Sequence, residues 1–355
     1  MIRRRAFLFG TLAAASLSGV PALATGGLDD PSPSPSPGGP FPQPNSNVQP
    51  IRVLLGRGIA SQIDDQSFTF GSRSYRGTFS TTSDGQIINT VPLESYLYSV
   101  VPMESPRTWP DQTLQAQAIV ARTFALARSN PKRAYDVVAS ERDQAYGGLH
   151  SEYAESTAAV NATAGQVLRY NGALASVSYM SCCGGHTEDP ADAWQGGADL
   201  PYLRGVTCTF CTDSPDYRWV RDIPLTSLVN AFSAQMASVG TLQSIGITAA
   251  DGSGRAKSLR LTGNSGSAEI TGADFRRALG PSVVKSLLIR AIRVNSSSAD
   301  SLAPNPSQAA GTITIEGQGR GHGVGLCQWG SRGLASAGRT AREILSFYFP
   351  GIELQ

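Results

Sequence analysis

Histidine is scarce in this chain of 355 residues, which carries three, alongside four tryptophans, four methionines and five cysteines. Where histidine and cysteine are this sparse, any segment that gathers them is informative. A strong charge of either sign is also missing. With Arg3, Arg4 and Arg5 set aside, the 29 basic residues become 26 against 27 acidic ones, which is not the basic footprint of a nucleic-acid binder. The apolar run from Ala6 to Val20 is too short for a membrane-spanning helix. No internal repeat and no heptad pattern is present, which excludes solenoids and coiled coils. No Gly-Lys-Ser/Thr follows the glycine-rich segment near the C-terminus, which excludes a nucleotide phosphate loop.

The chain opens instead with the pattern of an export signal over residues 1–24: Arg3-Arg-Arg5, the apolar run, then Ala22-Leu-Ala24 as a small-residue cleavage site. Arg4-Arg5-Ala-Phe-Leu8 fits a twin-arginine signal and an ordinary secretory signal with a basic start equally well. Residues 25–50, with Pro31-Ser-Pro-Ser-Pro-Ser-Pro37, cannot build a core and read as an extended linker. The remaining body, 51–355, is about 300 residues, enough for a large core and more than one lobe. Strands are expected at 51–55, 242–248, 258–262, 284–289 and 312–316. A hairpin is expected over 166–179, where Asn171-Gly172 supplies the positive φ angles of a type I′ turn. Thr340-Ala-Arg-Glu343 is a capping box opening a last helix through Phe349. Residues 296–310 read as an exposed loop. The fold class is α+β, expected as two lobes around a cleft.

One carboxylate stands out. Leu93, Tyr96, Leu97, Val100 and Val101 form the apolar stripe of a helix that Pro102 is expected to end. Thr108 and Pro110 predict a second, alanine-rich helix starting near Trp109. Glu104 falls between them on a proline-bounded connection. An arbitrary loop glutamate is most often an exposed ion-pair partner. Here Met103 and Trp109 are placed to desolvate the carboxyl and raise its pKa, as a proton donor at neutral pH requires.

A second cluster is Cys182, Cys183, His186, Cys208 and Cys211. Cys183-x2-His186 followed by Cys208-x2-Cys211 has the paired spacing of a structural zinc site. The competing reading is a disulfide between Cys208 and Cys211, which an oxidising exterior favours but which leaves the Cys-Cys-Gly-Gly-His run unexplained. Cys327 reads as a small buried residue.

The stretch Ser99-Val-Val-Pro-Met-Glu-Ser-Pro-Arg-Thr-Trp-Pro-Asp-Gln112 and its continuation to Ala125 closely resemble the signature of the SpoIID/LytB family. Two further segments resemble that family's motifs in order: Ser178-Tyr-Met-Ser-Cys-Cys-Gly-Gly-His-Thr-Glu188 with Leu200-Pro-Tyr-Leu-Arg204, and Gly317-Gln-Gly-Arg-Gly-His-Gly-Val-Gly-Leu-Cys-Gln-Trp-Gly330. By this resemblance Glu104 matches a catalytic glutamate, and the implied activity is that of the family's sporulation members, lytic transglycosylases acting on peptidoglycan glycan strands. The resemblance also matches Cys183 and His186 to a zinc-bearing variant of the central motif. Met180 departs from it, standing where the family usually has histidine. Gln117 and Arg122 are implied near the cleft, although Arg122 could equally pair with a carboxylate, and Tyr202 is a candidate for stacking on a sugar ring. The glycine-rich segment reads as a cleft wall, which makes His322, Gln328 and Trp329 candidate groove residues; core packing is an equal alternative for His322 and Trp329. LytB-type members imply a rival role, a non-catalytic enhancer of a cell-wall amidase. A zinc amidase or peptidase is a further rival.

Overall fold

The structure, a computed structural model, describes residues 49–296 and 311–355, all within one compact unit, Pro44–Gln355. The expected export signal, nearly all of the linker and the loop after Ser296 lie outside the described residues. Both helix and sheet are present throughout, so the class is α+β. Among the described residues no helix is long and apolar enough to cross a membrane.

The first sheet runs in the order Thr78–Thr81, Gln86–Pro92, Pro50–Arg57, Val137–Val138. Its inner face carries Ile51, Val53, Ile87 and Val91, each nearly or fully buried, the alternation that a half-buried strand requires. Helix α1 (Leu93–Glu104) leaves this sheet directly, with Pro92 as its N-cap. Helix α2 (Asp111–Arg128) packs beside it. One face of α2 places Leu114, Ala118, Ala121 and Ala125 in this first core. Its other face places Ala116, Ile119, Val120 and Phe124 in a second core with the cysteine segments and the C-terminal helices Gln328–Ser336 and Ala341–Tyr348. A helix apolar on both sides is a buried one, and its alanines let neighbours approach closely. A third core joins two antiparallel sheets and three short helices between Trp219 and Gly317. Three cores are a finer division than the two lobes expected.

Several local expectations stand as read. Asn171 and Gly172 take φ of 50° and 77° in the hairpin turn, and Thr340 and Glu343 form the reciprocal capping box. Others shift. Helix α1 runs through Pro102, because the proline lies in its last turn, where little helix remains to disrupt; the Ser105 N–H closes on Val101 O at 2.9 Å. Glu104 is therefore the last residue of a helix. Helix α2 begins at Asp111, not Trp109: Trp109 N–H is spent on a turn to Pro106 O, and Pro110 is the N-cap. The strand expected at 284–289 lies instead at Ile289–Ser296.

Arg122 shows how α1 and α2 are pinned. Its guanidinium is 1% exposed and bidentate to Glu94, Nε to Oε1 at 2.8 Å and Nη2 to Oε2 at 2.7 Å, with further bonds to the carbonyls of Gln166 and Val160. It does not approach Glu104. Five residues along a helix rotate the side chain by about 140° relative to Gln117, which turns Arg122 toward the start of α1. Arg122→Ala leaves Glu94 buried without its partner and is expected to destabilise the fold by about 3–5 kcal/mol. Urea unfolding of the variant checks this; a loss below about 1 kcal/mol would mean the pair is solvated.

Candidate active site

Glu104 is half-buried at the C-terminal end of α1. Its Oε1 accepts the backbone N–H of Ala145 at 2.9 Å. Tyr179 and Gln328 hydrogen-bond to the same carboxyl. Burial pushes its pKa above the ordinary carboxylate range, and it outweighs the bonds from Ala145, Tyr179 and Gln328, which pull the other way. The desolvation does not come from Met103, which is 45% exposed. Tyr179 is tied to Gln144, whose Nε2 donates to the phenol oxygen at 3.3 Å, and Gln144 accepts from Tyr96 at 3.1 Å. Trp109 and Trp329 meet edge-to-face at 5.0 Å, both only partly buried, and Arg332 lies 5.0 Å from the Trp329 ring centre.

The expected site residues divide. Gln328 is a partner of Glu104, and its chain neighbour Trp329 pairs with Trp109. Gln117 is 1% exposed and stands behind the site, accepting from Gln328 at 3.3 Å and from Ser105 at 3.5 Å. Tyr202 is core: it is 5% exposed, packs on Tyr170 at 4.7 Å and accepts the Ser176 N–H, so it offers no face to a sugar. His322 is not a partner of Glu104. Its Nδ1 accepts the Val324 N–H at 3.1 Å, and its other nitrogen bonds to the Tyr179 carbonyl. Burial, with Arg276 and Arg255 nearby, lowers its pKa to about 4. A neutral ring with both nitrogens engaged is a packing surface, not an acid or base. Tyr179, Gln144 and Ala145 were not anticipated. Tyr179 lies inside the quoted central motif, but strand alternation gives no hint of its role, and nothing local marks Gln144 or Ala145.

The cysteine cluster is also redrawn. The sulfurs of Cys183, Cys208, Cys211 and Cys327 all lie within 4.8 Å of one another and are buried; Cys183 and Cys211 are 3.5 Å apart. Four sulfurs at the corners of a tetrahedron around zinc stand about 3.8 Å apart. Cys327 supplies the corner expected of His186. His186 pairs across a bridge with Thr207, and neighbouring side chains on such a segment alternate faces, so His186 and Cys208 point to opposite sides. The His186 Nδ1 rests 2.6 Å from Thr187 O. Cys327 is the N-cap of the helix Gln328–Ser336, and its sulfur accepts N–H bonds from Gly330 at 3.3 Å and Cys183 at 3.2 Å. Those donors and the helix terminus favour a thiolate, whereas burial and the crowding of the other thiols push Cys327 well above its ordinary pKa. A cation at the centre resolves that conflict. The donor set therefore fits a tetrahedral thiolate metal site.

The family model described as stage II sporulation protein matches residues 81–170. An uncharacterised protein of Brachyspira hyodysenteriae is 31% identical over 303 residues, covering 84% of this chain and 76% of that protein. The chain belongs to the SpoIID family. The stage II sporulation protein D of Bacillus subtilis is 28% identical over 290 residues, 76% of each chain. A Bacillus subtilis protein named amidase enhancer is 29% identical over 306 residues, and this chain spans 40% of that protein's length. Within this SpoIID-family chain, the matched segment contains Glu104, Gln117, Arg122 and the Gln144–Ala145 loop, whereas the cysteine cluster and the glycine-rich motif lie beyond it.

The raised pKa of Glu104 has a stability consequence. Between the unfolded value and the higher folded value the folded state binds more protons, so this group's contribution to stability falls as pH rises through that window. Glutamine cannot ionise. Glu104→Gln is expected to gain thermal stability relative to the parent at pH 8 and not at pH 4, by differential scanning calorimetry. A difference independent of pH would mean that the carboxyl titrates normally.

Proposed function

We propose that the chain is a cell-wall lytic transglycosylase, cleaving peptidoglycan strands between N-acetylmuramic acid and N-acetylglucosamine and leaving 1,6-anhydromuramic ends. The observation that carries this reading is the shielded Glu104 carboxyl with its raised pKa. In its protonated form it donates to the glycosidic oxygen as the bond from that oxygen to the muramic anomeric carbon breaks. The muramic C6 hydroxyl oxygen then closes on the anomeric carbon, and its proton passes to the Glu104 carboxylate. The acid is restored, no water is consumed, and one carboxyl serves both steps. Most glycosidases need a second carboxylate at a defined separation, which this sequence of steps does not. After donation, the Ala145 N–H, Tyr179 and Gln328 support the anion, and Trp109 with Trp329 offers an aromatic face to a sugar. The leader-like residues 1–24 agree with action outside the cytoplasm, in the cell envelope.

The similarity to a protein named amidase enhancer favours one alternative, in which the chain recruits or stimulates a cell-wall amidase without cutting glycan. Product analysis separates them. On isolated strands the purified protein is expected to release 1,6-anhydromuramic ends at a rate that declines as pH rises through the Glu104 pKa, and Glu104→Gln to lower that rate at least about a hundredfold. Strands left intact, with an amidase accelerated on mixing, would move the assignment to the enhancer.

We also propose zinc as the ion of Cys183, Cys208, Cys211 and Cys327. Four buried protein ligands leave no open position, so the ion is structural and a zinc hydrolase is disfavoured. Elemental analysis is expected to find one zinc per chain. Cys327→Ser should lose it together with thermal stability, and His186→Ala should keep it; zinc lost from the second variant and not the first would restore the ligand set expected from spacing.

A further inference from the structure

A cavity of about 430 Å³ opens beside His322. Its wall includes Trp194, Lys257, Arg276 and Arg277 from three separate segments. Most charges there are internally matched. Lys257 holds Asp192 at 2.7 Å and Arg277 holds Asp274 at 2.7 Å. The buried Arg255 bonds Ser253 Oγ at 2.8 Å, the carbonyls of Cys183 and His186, and Glu188 at 3.5 Å. Asp251 accepts from Ser253 and from the Arg255 backbone. Arg276 differs. Its Nε and Nη2 are fixed on the carbonyls of Val284 at 2.9 Å and Lys285 at 3.3 Å, and among the described residues no carboxylate pairs with it. Half-buried, with Arg320 as a like-charged neighbour, it keeps one nitrogen, Nη1, without a hydrogen-bond partner among the described residues. On the wall of the same cavity, Trp194 is 41% exposed and lies with its ring 5.1 Å from that of His322. A partly desolvated guanidinium with a free donor, sharing a cavity with an open indole, is a pairing suited to an anion carried on a sugar-sized body.

We infer that this cavity is a subsite for a carboxylate on the glycan strand, with Arg276 as the anion's partner and Trp194 as the platform for the sugar that bears it. The inference rests on the glycan-strand reading above and adds the chemistry by which the strand is registered over Glu104. His322 links the two places: it bonds the Tyr179 carbonyl, while the Tyr179 side chain bonds Glu104. Two sources of carboxylate exist on such a strand, the lactyl group of a muramic residue stripped of its peptide and the carboxylates of an attached stem peptide.

Titration calorimetry on the full mature chain carrying Glu104→Gln distinguishes them without turnover. The probes are stripped strands, the same strands with lactyl carboxylates converted to amides, peptide-bearing strands and a chitin tetrasaccharide. Stripped strands are expected to bind about tenfold more tightly than amidated ones, the effect of one charge-assisted contact. Adding Arg276→Gln should erase that preference and leave chitin binding unchanged, and Arg276→Lys should restore part of it. Tightest binding by peptide-bearing strands, again lost with Arg276→Gln, would support the subsite and assign the carboxylate to the peptide. Equal affinity for charged and amidated strands, or a preference untouched by Arg276→Gln in a variant that unfolds at the parent temperature, overturns the subsite. Neither result bears on anhydro-product formation, whose absence would instead remove the catalytic reading.

Discussion

Two residues of parallel strand pairing, Tyr179 with Leu326 and Met180 with Cys327, connect everything chemical in this molecule. The pairing joins the central motif to the glycine-rich motif and sets three groups at once. Tyr179 is delivered to Glu104, Cys327 to Cys183, and the next residue, Gln328, to the same carboxyl. So short a ladder contributes little by itself. It is held by what flanks it: reciprocal bonds between Cys182 and Arg320 at 3.1 and 2.8 Å, the Leu326 N–H on Ser178 O at 3.0 Å, and the Trp329 N–H on Ser181 O at 3.1 Å.

The alternating glycines are the condition for that contact. Gly325 has φ of +77°, and a Cβ there would stand 2.1 Å from Ser178 O; Gly319, also at +77°, would meet Cys182 O at 2.7 Å. Side chains at these positions would both strain the backbone and push the two motifs apart. The cation proposed for the four sulfurs would reinforce the same junction, because Cys183 belongs to one motif and Cys327 to the other, with Cys208 and Cys211 bracing from a third loop. The four-thiol set would then be a clamp on the pairing that positions the groups around Glu104.

What was legible in the sequence follows from this arrangement. Signals that reside in a few consecutive residues carried through: the Asn171-Gly172 turn, the Thr340 capping box, the strand at Pro50–Arg57 and the helix opened by Leu93, though not its end. Glu104 itself was legible through its proline-rich context and its family resemblance. The fourth thiol was not. Ligand spacing within one segment pointed to His186, and only the pairing of distant strands shows that Cys327 is the nearer neighbour. Tyr202 turned inward to the core, and of the two readings of Arg122 the carboxylate pair is the one seen, with the buried Glu94; a polar or aromatic residue in a motif gives no indication of which way its element faces. The support of Glu104 by Ala145 and Tyr179 is equally non-local.

Opposed influences at Glu104 also explain why its surroundings are polar and not simply dry. A carboxyl buried among apolar groups alone would hold its proton too firmly to release it, and once ionised would lack any partner. Donors alone would keep it ionised and useless as an acid. Here burial raises the pKa while one backbone N–H, one phenol and one amide moderate the rise. The phenol is held by Gln144, and that glutamine by Tyr96, so the donors are already oriented before any charge develops and need little reorganisation when it does. In the proposed reaction Glu104 gives up a proton and takes one back within a single turnover, which requires both forms to be accessible, and this combination of shielding and fixed donors suits that requirement.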